Sequence, residues 1–185
     1  MASPKPRRDW LYLAIIGTQL AGMLVLDLVP FYPRPLWHPP SSPLHALVSL
    51  RALYASRSGD PYFAAPDVQA HEPWLRLCFY VEALVQLPLA AYLVYQLASF
   101  RRASGPAELA ALAFGCVTAV CASACCFDLW HMGPDRLSES HKPALLYGAY
   151  LPFAAVPAVM AVDMYLRLLP RVRDDSNVQA EKKRV

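Results

Sequence analysis

Glu82 stands eight residues into an apolar run from Trp74 to Phe100, and Asp27 lies near the end of another from Trp10 to Val29. The run around Glu82 exceeds the roughly 20 residues that cross a bilayer core, which makes this carboxyl an ionisable group within a span. Such a group is costly unless it is paired, hydrogen-bonded or protonated. Two carboxylates facing one low-dielectric cavity repel each other, and a single proton shared by Asp27 and Glu82 relieves that repulsion. A ligand amine can replace the proton, leaving one acid to pair with the cation and the second to brace it. Phe79, Tyr147 and Tyr150 supply apolar walls and a cation–π surface for such a ligand. Tyr147 and Tyr150 are three residues apart, which on an α-helix puts them on a common face. The alternative is that the acids only hold helices together. Asp60, in SGDPYF, sits between turn formers and can accept bonds from local backbone amides, which on its own chemistry makes it a turn carboxylate.

Positioning these groups falls to four apolar runs. The 185-residue chain is 56% apolar and 17% charged, and its apolar residues concentrate in Trp10–Val29, Trp74–Phe100, Ala107–Leu129 and Ala144–Leu169. An all-α membrane bundle of four transmembrane helices follows, with residues 1–9 and 170–185 as polar tails around a 10–169 domain. The first run is longer than the core of a secretory signal and ends without a small-residue cleavage site, so it is expected to be retained. Gly17, Ala21 and Gly22 offer it a small face for close helix contact. Pro88, Pro152 and Pro157 interrupt the later spans and imply bends. The long connection between the first two spans contains one amphipathic helix, with Leu44, Leu47, Leu50 and Tyr54 on one side. Asp163 and Arg167 are spaced for a local ion pair near the interface. Cys78, Cys116, Cys121, Cys125 and Cys126 have no companion ligands at zinc-site spacing and are expected to pack as small apolar residues, without metal, cofactor or disulfide framework.

The formal charge of +3 comes largely from short basic groups, KPRR at residues 5–8 and KKRV at 182–185. These suit anionic headgroups better than nucleic acid, which is excluded as a partner. The N-terminal tail, Arg101 with Arg102, and the C-terminal tail share a side in a four-span chain, and all are basic, so both termini are expected in the cytosol. At 1.5 Å per residue Glu82 then lies about 12 Å into the second span from its non-cytosolic end. Asp27, Asp128, Tyr147 and Tyr150 fall in the same half.

DLVPFYP around Asp27, SGDPYF around Asp60, CFYVEALVQLP around Glu82 and LLYGAYLPFAAVP in the fourth run together resemble the EXPERA family, over roughly residues 8 to 169. No single motif is specific; their order and spacing carry the likeness. The family joins sigma-2 receptor-type proteins with emopamil-binding sterol isomerases. The resemblance implies an endoplasmic reticulum homodimer of four helices that binds sterols or oxysterols, cationic amphiphilic small molecules and membrane lipids. It also implies a link to sterol trafficking, with a sterol-transport protein as partner. It makes Asp27 the ligand-pairing acid, Glu82 its brace, Tyr150 a pocket tyrosine with Tyr147 beside it, and Asp60 a loop residue holding the site. Lys182 and Lys183 look like a dilysine retrieval signal. The alternative is a sterol Δ8–Δ7 isomerase using Glu82 and Asp27 as acid and base. In that branch a histidine stands one helical turn before the span-two glutamate, where this chain has Cys78. The third run also lacks an embedded glutamate, since Glu108 is at its start.

Overall fold

The computed structural model describes residues 5–64, 68–100 and 103–182, the last nine by backbone alone. Among these residues the regular structure is helical, and four stretches are long and apolar enough to cross a membrane: Arg7–Asp27, Pro73–Ala98, Gly105–His131 and Ala144–Arg173. The protein is therefore a four-span transmembrane bundle with a long structured connection between its first two spans. Its outward faces carry large apolar side chains such as Leu84, Tyr95, Val120, Phe127 and Val159. Hydrocarbon is a suitable neighbour for them.

Three spans are not uniform α-helices. The first runs as α1 (Arg7–Gly22) and then a π-helical turn, Met23–Asp27. In the long connection, α2 (Arg34–Trp37) and α3 (His45–Ser58) follow. The second span is α4 (Pro73–Val81), a π-helical turn at Glu82–Gln86, and α5 (Leu87–Ala98). The third is α6 (Gly105–His131), N-capped by the Ser104 hydroxyl accepting from the Ala107 amide. The fourth opens as a π-helical segment, Ala144–Tyr150, and continues as α7 (Leu151–Lys182). Each π segment precedes a proline by two or three residues: Pro30, Pro88 and Pro152. Proline lacks an amide proton and its ring crowds the carbonyl four residues earlier, so shifting the preceding bonds to i→i+5 relieves a conflict the α register would keep.

Packing divides between two apolar clusters. One gathers Ile16, Met23, Leu93, Phe114, Met160 and Met164 from all four spans. The other joins Tyr62 of the connection to Leu75, Phe79, Cys125, Leu129 and Leu146. α6 and α7 approach closely at Gly115, where a Cβ would meet the Pro157 carbonyl oxygen at 2.7 Å and the Ala161 Cβ at 3.1 Å. Gly17, expected to serve close contact, faces open space instead.

The ends of the chain also depart from expectation. Helix begins at Arg7, inside the stretch read as a tail, because Asp9 is completely buried against Arg167 at 2.8 Å. Arg167 also holds Asp163 at 2.6 Å, the local pair expected from their spacing, and Arg8 reaches Asp163 from the first span at 2.6 Å. Glu108, fully buried at the start of α6, pairs with Arg171 at 3.0 Å. These bonds put the start of the first and third spans and the end of the fourth at one end of the bundle. Lys5 donates to the Leu97 carbonyl and lies over the Trp10 ring there. α7 runs through Pro170 to Lys182, beyond the expected end of the fourth span, and Arg101, Arg102 and Lys183 lie outside the described residues.

Candidate functional site

Between the spans, at the end opposite these ion pairs, lies a cavity of about 320 Å³. That volume is at the lower end of small-molecule clefts. Asp27 reaches it from the end of the first span, Glu82 and Phe79 from the second, Tyr150 from the fourth and Tyr54 from α3. The π segments matter here, since Asp27 closes one, Glu82 opens another and Tyr150 closes the third. Each wider turn re-aims the side chain at its edge.

Asp27 and Glu82 are hydrogen-bonded to each other. Two carboxyl groups make such a bond only when at least one of them carries a proton. Gly22 lies under Asp27, with Oδ2 at 3.8 Å from where a Cβ would be. One turn deeper, Gln86 Oε1 accepts from Thr118 at 3.0 Å and from Gln19 at 3.4 Å, forming a polar floor across three spans.

Asp60 does more than its turn chemistry required. Gly59 adopts a left-handed conformation at φ 65° to end α3, and a Cβ there would strike the His141 ring at 2.7 Å. The chain then turns Asp60 inward to 1% exposure. Its Oδ1 accepts the expected local bond from the Tyr62 amide at 3.0 Å. Its Oδ2 accepts from the hydroxyls of Tyr54 and Tyr150, at 3.0 and 2.8 Å. Burial pushes the Asp60 carboxyl above its ordinary pKa of 3.8, against the opposing pull of Tyr150, the Tyr62 amide, Tyr54 and Arg51. Tyr62 in turn donates to Asp128 at 2.8 Å, so Asp128 braces the loop and does not line the cavity. Burial also raises the Tyr54 and Tyr62 hydroxyls, and their carboxylate partners add to this.

Two placements differ from the sequence reading. Tyr147 is 57% exposed and lies outside the cavity wall. In a segment bonded i→i+5, residues five apart align, so Tyr150 shares a side with buried Leu145 instead of with Tyr147. On α3 Leu50 is 44% exposed, while Arg51 is buried to 7% and stacks over the Phe63 ring at 5.2 Å. No motif in the sequence singles out Arg51, yet it is the cation whose field falls on both Asp27 and Asp60. Burial pulls its guanidinium below the ordinary value, and the two acids oppose that pull. The available signal was an arginine amid an otherwise apolar helix face. Among the cysteines expected simply to pack, Cys78, Cys121 and Cys125 line the cavity, whereas Cys116 faces outward.

The four-span bundle thus places an acid pair at a cavity between its helices, with Tyr54, Tyr62 and Phe63 of the long connection forming part of the wall. Residues 46–164 match EXPERA (EXPanded EBP superfamily), and the chain belongs to that family. It is also similar to efficient mitochondria targeting-associated protein 19 of Schizosaccharomyces pombe. The two are 28% identical over 162 residues, which cover 87% of this chain and 76% of the relative.

Proposed function

We propose that this chain is a receptor-like EXPERA protein of the sigma-2 receptor (transmembrane protein 97) type, binding sterols, oxysterols and cationic amphiphiles in its intramembrane cavity. Its place in this reading is the endoplasmic reticulum membrane, as a homodimer with both termini cytosolic. There it acts in sterol homeostasis or trafficking beside a sterol-transport protein. The observation that carries the proposal is the Asp27–Glu82 hydrogen bond at the cavity wall. An ammonium group entering the cavity finds a carboxylate already oriented by a neighbouring acid, with Phe79 and Tyr150 as walls. A neutral sterol hydroxyl finds the same groups as donor and acceptor. Acid/base isomerisation would use similar groups, but the histidine that resemblance to the isomerase branch implies one turn before Glu82 is here Cys78.

Binding and turnover measurements on the purified protein test the reading. Asp27→Asn keeps the shape and deletes the countercharge. A charge-assisted bond contributes about 1.5–3 kcal/mol, so cationic amphiphiles should lose roughly 10- to 150-fold in affinity and neutral sterols much less. Glu82→Gln, which retains a donor, should cost less than Glu82→Ala. Equal losses of cationic and neutral ligands in Asp27→Asn would remove the ion pair. Conversion of a Δ8 sterol that Glu82→Gln abolishes would replace binding with isomerisation.

A further inference from the structure

We infer that Cys78 and Cys121 form a redox-active dithiol in the cavity wall, closing to a disulfide between the second and third spans when a lipid-soluble hydroperoxide enters. Cys78 lies on α4 and Cys121 on α6, and their side chains are hydrogen-bonded to one another. Both are half-buried free thiols, and both line the cavity. Thiols already in contact need only a short approach to reach a disulfide length of about 2.05 Å. The other cysteines lack this combination: Cys116 faces outward and Cys126 lies outside the cavity wall. Cys125 lines the cavity but is on the same helix as Cys121. The inference stands on this geometry, whichever amphiphile the cavity normally holds.

The apolar walls select the oxidant. A hydroperoxide on a lipid or sterol skeleton matches the cavity's chemistry, whereas hydrogen peroxide or glutathione disulfide must leave water to reach it. In the first step one cysteine sulfur attacks the peroxide, the O–O bond breaks and a sulfenic acid forms. The departing alkoxide leaves as an alcohol, taking up the proton of that thiol. In the second step the other sulfur attacks the sulfenic sulfur, the S–S bond forms, and hydroxide leaves as water with the second thiol proton. Two thiols and one hydroperoxide thus give one disulfide, one alcohol and one water, with two electrons passing from sulfur to oxygen. The bond would tie the second span to the third one helical turn ahead of Glu82.

The test uses the reduced full-length protein in liposomes, exposed to cumene hydroperoxide or, separately, to equal hydrogen peroxide. Remaining thiols are then blocked with maleimide and the peptides mapped by mass spectrometry. The expected result is loss of two of the five thiols and a Cys78–Cys121 cross-link reversed by dithiothreitol. The link should form faster with cumene hydroperoxide, be absent from Cys78→Ser and Cys121→Ser, and persist in Cys116→Ser. Mapping in the wild type needs no variant to fold, and no readout depends on ligand binding, so failure here is distinct from failure of the proposed function. Full maleimide labelling of Cys78 and Cys121 after cumene hydroperoxide would overturn the inference. So would a link mapped to Cys125 or Cys126, or equal rates with both peroxides.

Discussion

Asp60 joins three parts of the molecule through one carboxyl group: the turn itself through Tyr62, α3 through Tyr54 and the fourth span through Tyr150. Asp60→Asn leaves one acceptor oxygen and turns the other position into a donor. If that donor replaces Oδ2, both tyrosine hydroxyls must reorient. At about 1 kcal/mol per buried hydrogen bond, a loss of roughly 1–3 kcal/mol is expected, with weaker ligand affinity although Asp60 does not line the cavity. Unchanged affinity and thermal unfolding in that variant would reduce Asp60 to a turn residue. The pH dependence has a definite sign. Because the folded-state pKa lies above 3.8, the folded protein holds this proton more tightly than the unfolded chain does. The resulting stabilisation is complete below 3.8 and is lost as pH rises through the folded value. The gap in thermal stability between wild type and Asp60→Asn should therefore be widest at acid pH and narrow upward. Asp27 and Glu82 were legible in the sequence because a carboxyl in an apolar run is conspicuous. Arg51 was not, since its burial depends on how α3 docks, and Tyr147 was misplaced because its turn is not an α turn.

The four apolar runs and their prolines announced the spans and their bends. The three π segments stayed hidden, because an i→i+5 turn differs from an α turn by one residue of hydrogen-bond register and leaves no mark in composition. Their effect falls on the site, at whose edges Asp27, Glu82 and Tyr150 stand. Close helix contact was likewise legible in kind but not in place. Gly115→Ala should destabilise the bundle by about 1–3 kcal/mol, since the added methyl meets the rigid Pro157 carbonyl. Gly17→Ala should be neutral or stabilise by up to about 1 kcal/mol, because its methyl meets nothing within 4 Å and alanine favours helix. Thermal unfolding in one detergent compares the two, and equal destabilisation would dismiss Gly115 as the contact point.

Across the whole molecule, polar chemistry is sorted to the two ends of the bundle. The Asp27–Glu82 cavity and its loop occupy one, and Asp9, Asp163, Arg167, Glu108 and Arg171 clasp the other. Lys5, Arg8 and Arg171 belong to the clasped end, which the proposed orientation puts in the cytosol. Cysteines introduced at positions 3 and 176 of a cysteine-free background should both react with an impermeant maleimide from the cytosolic face of sealed vesicles. Opposite labelling of the two would refute that topology. The clasp also has a consequence for the order of events at the ribosome. Asp9 enters the membrane with the first span, but its partner Arg167 belongs to the last. At about 5–20 residues per second, roughly 8–32 s of synthesis separate the two. Until then the Asp9 carboxylate is without Arg167, the partner it is buried against. Completion of the fourth span thus supplies the partner that the first brought into the membrane, and a chain cut short before Arg167 lacks that bond between its first and last spans.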